Sequence, residues 1–138
     1  MEAAEKLLTI LPARWCHQAE QMLARSVLRA PCFSVADYRR MVDEDADCNL
    51  YQVKAGTELV GFVILRVVDQ SGGAEGEILA AAGRLDGADL TRDVLPALLK
   101  MFKGVKGYRI TTARAGLVKK LAALGWSPTH TTLRLGAA

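Results

Sequence analysis

The stretch that most constrains this chain is GEILAAAGRLDGADLTRDVLPALLK, residues 76–100. Its apolar run, Ile78 to Ala82, stops at Gly83, crosses a loop with a second glycine at Gly87, and opens a helix near Asp89. A strand, a glycine loop and a helix start put backbone N–H groups and the positive end of a helix dipole at a strand terminus. That junction suits an anion such as a pyrophosphate. The surrounding residues oppose that use. Asp86, Asp89 and Asp93 crowd the helix start, and Arg84 and Arg92 offset only part of their charge. One aspartate beside a phosphate would cost ~1 kcal/mol or more at a surface-like dielectric.

A chain of 138 residues is most economically one domain, 1–138, with a single good core. Apolar content of 51% with 24% charged residues describes a globular protein rather than a disordered one. No apolar run approaches the ~20 residues of a membrane helix, and Met1 to Pro12, with Glu2 and Glu5, does not read as a signal peptide. Cys16, Cys32 and Cys48 are odd in number and fit no metal spacing. They imply reduced thiols and a cytosolic setting. Neither His17 nor His130 has a cysteine or carboxylate at ligand spacing, so no metal site is expected.

The formal charge of +3 says little, but its distribution says more. From Val94 to Ala138 there are eight basic residues and no acidic one, whereas Asp43, Glu44, Asp45 and Asp47 cluster earlier. Solvent can cover such clusters. The sharper reading is a partner-facing patch, with Lys100 and Lys103 three apart on one helix and Lys119 and Lys120 on the next. It implies a protein partner or assembly with an acidic surface, and leaves an oligomer open. Nucleic acid is the weaker alternative, because no glycine-aromatic RNA-binding motif or helix-turn-helix accompanies the charge.

Taken in order, Leu7 to Ile10 predicts a first strand, and Pro12 suits the first turn of a helix. Trp15, Ala19, Met22, Leu23, Ser26 and Val27 recur at helical spacing to about Arg29. Ser34 reads as the N-cap of a second helix with Tyr38, Met41 and Val42 inside. Cys48 to Val53 and Glu58 to Val68 predict a hairpin, with Gly61 at a bulge. A polar loop, Asp69 to Gly73, leads to a strand ending near Ala82. The following helix reaches Lys103, though Pro96 requires either an irregular first turn or a start nearer Asp93. Tyr108 to Thr112 is a strand, Leu117 to Leu124 a helix stopped by Gly125, and Thr129 to Leu135 a final strand. The order is βααβββαβαβ. Hairpin links pair strands antiparallel and helix links pair them parallel, so the class is α/β, with a mixed central sheet and helices on both faces. Trp15 and Trp126 are read as core or core-edge residues.

That order resembles the GNAT-type acyl-CoA N-acyltransferases over essentially the whole chain. The run LVKKLAALGW, Leu117 to Trp126, is similar to the family's helix ending in tyrosine, two residues, leucine, glycine and an aromatic. The resemblance implies that the fourth full strand, Glu77 to Ala82, splays from the next one to admit acyl-CoA. Its pyrophosphate would sit on the loop Gly83 to Asp89, with Ala82, Gly83, Arg84, Gly87 and Arg92 as the implied contacts. It also places Glu77 where some members carry a glutamate, a candidate general base; the plainer reading is a solvent-facing strand residue. The family's thiolate-protonating tyrosine falls on Leu121, which cannot donate a proton.

The run from GEILAAAGRLDG to Thr112, Arg114, Gly116, Leu117, Leu121, Gly125 and Trp126 is also similar to short GNAT-like proteins encoded among late genes of tailed phages. Several of these are virion or morphogenesis components. The reading that follows is a catalytically silent GNAT-like binding or structural module, in the cytoplasm or a virion, with no cofactor. The alternative is an acetyl-CoA-dependent N-acetyltransferase acting on a small amine or a protein N-terminus.

Overall fold

The computed structural model describes residues 8–25, 28–29, 33–83, 94–111, 115–128 and 135. The elements run β1 (Leu8–Pro12), α1 (His17–Ala24), β2 (Leu28–Arg29), α2 (Val35–Glu44), β3 (Cys48–Ala55), β4 (Glu58–Gln70), β5 (Gly73–Gly83), α3 (Leu95–Leu99), β6 (Gly107–Ile110) and α4 (Ala115–Ala123). The mixed α/β class predicted from the sequence is the one observed. The last expected strand, Thr129 to Leu135, lies outside the described residues apart from Leu135.

The sheet is ordered β1-β3-β4-β5, with antiparallel ladders between these neighbours. Two strands share the far edge of β5. β6 runs parallel to it from Glu75 to Ile78, and β2 runs antiparallel to Ala80 and Ala81. Apolar side chains on alternate positions supply two cores. Val63, Leu65, Ile78 and Ala81 pack with Val94, Leu95, Leu98 and Leu121 of the α3–α4 side. On the other face Leu50, Phe62, Ile64 and Leu79 pack with Ala19, Leu23 and Tyr38 of the α1–α2 side.

Two bulges adjust these faces. The register passes from Val53↔Gly61 to Lys54↔Leu59, so the predicted irregularity at Gly61 is present, with Val60 as the extra residue. A second shift takes Ile64↔Ala80 to Leu65↔Ile78, which leaves Leu79 without an opposite number on β4. Leu79 and Ala80, although consecutive, therefore belong to the same core. Gly61 and Gly83 face each other across β4 and β5. A Cβ on Gly83 would strike the Val60 carbonyl, and its φ of +140° is strained for other residues.

Several boundaries differ from the sequence reading. Pro12 ends β1, opposite Tyr51, and does not open a helix. As an edge-strand residue its missing N–H removes nothing from an inner ladder. Helix α1 starts after Cys16, whose Sγ accepts a bond from the Ala19 N–H at 3.4 Å. It stops at Ala24 and not at Arg29, because Leu28–Arg29 is a strand on β5. The expected loop from Asp69 to Gly73 is a tight hairpin, since β4 runs to Gln70 and β5 begins at Gly73. Helix α3 is confined to Leu95–Leu99, with Pro96 within its first two positions. The late start resolves the difficulty at Pro96. At its other end the helix stops at Leu99, with Lys100 as its cap, short of the predicted Lys103.

Other signals hold. Ser34 and Asp37 form a capping box: the Asp37 N–H donates to Ser34 Oγ at 3.2 Å, and the Ser34 N–H to Asp37 Oδ2 at 2.8 Å. The Ser34 N–H foremost, then the Ser34 hydroxyl and the Arg40 guanidinium, hold the Asp37 carboxyl below its ordinary range. Gly125, at φ +98°, closes α4, and the Trp126 N–H returns to the Leu121 carbonyl at 3.0 Å. Trp15 packs against the α1–α2 core and Trp126 against the other, as predicted.

Candidate functional site

The chemistry-bearing side chains meet on one row across four strands. Cys48 of β3 stands opposite Arg66 of β4, Arg66 opposite Glu77 of β5, and Glu77 opposite Arg109 of β6. Directly opposed residues of neighbouring strands share a face and sit close enough to interact. The row lies just before the place where β6 parts from β5, since that ladder ends at Ile78↔Ile110 while β5 continues to Gly83.

Glu77 is the centre of the row, and it is not a solvent-facing strand residue: it is 2% exposed. Arg66 donates to Glu77 Oε1 through Nε at 2.8 Å and Nη2 at 2.6 Å. Arg109 Nε approaches Glu77 Oε2 at 3.6 Å, and its Nη1 lies 3.9 Å from Glu75 Oε1. Arg66 also lies over the Phe33 ring, 5.9 Å from its centroid. A buried carboxylate demands such company. Among the described residues, no buried side-chain nitrogen or oxygen is left without a partner.

Cys48 ends the row as a buried thiol. Burial, then the nearby Asp45 carboxylate, pushes its pKa up to about 11. A thiol held neutral is a poor nucleophile at physiological pH. Cys16 is exposed, Cys32 lies outside the described residues, and no metal-holding cluster is present among the described residues. His17 is exposed on α1; His130 lies outside the described residues.

The other candidates fall in separate places. Ala82 is buried and Gly83 exposed at the end of β5, while Arg84, Gly87 and Arg92, with Asp86, Asp89 and Asp93, lie outside the described residues. Leu121, in the position of the family tyrosine, is 5% exposed and belongs to the α3–α4 core. Tyr108 is 41% exposed and its ring centroid lies 6.0 Å from that of Phe102. Lys100, Lys103, Lys119 and Lys120 are all exposed. The helical spacing expected to unite the first two fails, because Lys100 only caps α3 and Lys103 follows it. The basic third is also not wholly without local acid, since Arg109 pairs with Glu75 and Glu77 of β5. A groove of about 640 Å³ between α1 and α2, lined among others by Glu20, Arg39, Asp43 and Glu44, mixes both charges.

Two features escaped the sequence reading. Arg66 and Arg109 stand as lone cations inside apolar strand runs, which is a visible signal, but only strand register reveals that both meet Glu77. The strand β2 has no signal of its own, because Leu28 and Arg29 continue the helical spacing of α1.

The arrangement of a mixed sheet, paired helices on each face, a bulged β5 and a parting β6 can be compared with solved structures. A transcriptional regulator from Bacillus halodurans superposes with a TM-score of 0.63 at 20% identity, over 95% of this chain and 100% of that one. An acetyltransferase from Trypanosoma brucei gives 0.62 at 18%, over 95% and 100%. An aminoglycoside N-acetyltransferase in complex with CoA gives 0.58 at 12%, over 99% of both chains. The fold is GNAT-like. No protein-family model matches the sequence, and no curated protein matches it. Identities this low establish the GNAT-like fold and leave the chemistry to this chain's own residues.

Proposed function

We propose that this chain is a catalytically silent GNAT-like domain that serves as a binding or structural module. The observation that carries this reading is Leu121. Where the family resemblance places a proton donor, this chain has a buried leucine in a core, and leucine has no proton to give. The base position supports the same reading. Arg66 already bonds Glu77 Oε1 twice, and Arg109 faces Oε2. Both guanidiniums crowd the carboxylate that an incoming amine would have to reach.

The partner surface in this reading is the exposed set Lys100, Lys103, Lys119 and Lys120, which suits an acidic protein surface. The resemblance to late-gene phage proteins makes a virion or its assembly the proposed setting. A thiol-release assay with acetyl-CoA, alone and with small amines or peptide N-termini, tests the silence. No release above the protein-free rate is expected, and acceptor-dependent release would refute it.

The second reading is an acetyl-CoA-dependent N-acetyltransferase with water as the acid. The parting of β5 from β6 after Ile78 favours it, as does likeness to proteins titled acetyltransferases. In that reading Ala82 and Gly83 border the cofactor, Arg84, Gly87 and Arg92 hold its phosphates, and Glu77 is the base.

A further inference from the structure

Near the β4–β5 hairpin the sheet presents an apolar patch on its α3–α4 face. The registers align Val67 of β4, Gly76 of β5 and Tyr108 of β6 in one row, and directly opposed residues share a face. Phe102 identifies that face. A Cβ on Gly76 would strike its ring, and Phe102 packs against the core that holds Leu98 and Leu121. The bare Gly76 thus gives the ring a strand to lie on, with Tyr108 beside it and Val67 on the far side. Both flanking side chains stay open to solvent, Val67 at 38% and Tyr108 at 41%. Apolar side chains grouped in this way mark a contact surface, whereas scattered ones do not.

The charge around the patch is divided by sign. On the β4 side, Asp69 follows Val67 by two residues and so shares its face, and the Asp47 carbonyl accepts the Val67 N–H at 3.1 Å. On the β6 side, Lys103 follows Phe102, and the Lys106 N–H donates to the Ala74 carbonyl at 2.8 Å, two residues before Tyr108. The stem of Lys106 rests where a Cβ on Gly73 would touch it, which holds this charge at the hairpin. Asp47, Asp69, Lys103 and Lys106 are all exposed.

We propose that this patch is the interface of a homodimer. Two copies that meet through the same surface need one that complements itself. A patch ringed by one sign of charge repels its own copy. This one has acids on the β4 side, lysines on the β6 side and rings between them. A two-fold axis through it sets Asp47 and Asp69 of one protomer against Lys103 and Lys106 of its partner, and the reverse, over the Phe102 and Tyr108 rings. A foreign acidic surface would match only the lysine side. The proposal goes beyond the reading above, because it requires neither catalysis nor its loss.

Sedimentation equilibrium of the full chain at low salt, over a concentration series reaching about 1 mM, tests it. The parent should pass from monomer to dimer along the series, and added salt should weaken the dimer. K103E/K106E carries acid on both sides of the patch and D47K/D69K carries base on both, so each should stay monomeric. Their equimolar mixture should dimerise, since every facing pair is then opposite in sign. Tyr108→Ser, which leaves the charges alone, should raise the dimer dissociation constant about 10-fold or more. The unfolding transition of each variant shows that it is folded. A parent that stays monomeric throughout would overturn the proposal and leave the patch to a foreign partner. Charge variants that dimerise as the parent does, or a mixture that stays monomeric, would overturn it as well.

Discussion

Arg66 and Glu77 face each other across β4 and β5, and the guanidinium closes on one carboxylate oxygen with two donors, at 2.8 and 2.6 Å. Two bonds from one planar fork fix the carboxylate more firmly than a single contact would. Arg109 completes the arrangement from β6. The glutamate thus ties three strands at the point where two of them begin to part.

Replacing Glu77 by Gln should destabilise the domain. The substitution leaves two guanidinium groups facing each other over a neutral amide. Breaking a buried pair commonly costs ~3–5 kcal/mol, and the lower end applies because Arg66 and Arg109 retain 23% and 33% side-chain exposure. Urea unfolding of E77Q measures the effect. A change below ~0.5 kcal/mol would mean that the tie is not structural.

Leu121→Ala should cost roughly 2–5 kcal/mol, the range for truncating a buried leucine. The side chain sits in the α3–α4 core and its carbonyl receives the Trp126 N–H. A stability change below ~0.5 kcal/mol would remove the buried role on which the silent reading rests.

The pKa of Cys48 predicts a pH effect. An ordinary thiol titrates near 9.0, and in the fold the value is raised to about 11. Between these limits the unfolded chain loses its proton and the folded one keeps it, so the unfolded state binds fewer protons and stability falls as pH rises. Below pH 9 both states are neutral and the contribution is fully present. Comparison with Cys48→Ala isolates the effect from other groups titrating in that range. The parent should lose stability between pH 9 and 11 more steeply than the variant; parallel curves would contradict the burial argument.

Much of this was legible in the sequence because local signals and tertiary packing agree. The Ser34 N-cap, the Gly125 stop and the bulge by Gly61 each follow from residue type and spacing. Two of the failures share a cause: long-range pairing overrides local pattern. Helical spacing continues through Leu28 and Arg29, yet β5 takes them as a strand. Glu77 alternates as if it faced solvent, and only the registers of β4 and β6 bring two arginines to it. The reach of α3 failed for a different reason. Helix α3 ends at Leu99, so Lys100 is only its cap and Lys103 lies beyond it.

Charge reversal at Lys100, Lys103, Lys119 and Lys120 tests the docking surface. Contacts of this kind steer association and weaken with salt. The quadruple Glu variant, shown to be folded by its unfolding transition, should lose co-purification with the native assembly or partner at low salt. Undiminished association would reduce the four lysines to a solvated face.

If the GNAT-like scaffold does not serve acyl transfer, as proposed, it should not hold acetyl-CoA or CoA, and calorimetric titration with each is the decisive measurement. Three aspartates, Asp86, Asp89 and Asp93, stand in the sequence where the pyrophosphate would sit, and β2 covers the β5 edge beyond Ile78. The expected result is no saturable heat, or a dissociation constant no tighter than about 1 mM, near −4 kcal/mol. A micromolar constant, worth about −8 kcal/mol, would contradict it and restore the acetyltransferase.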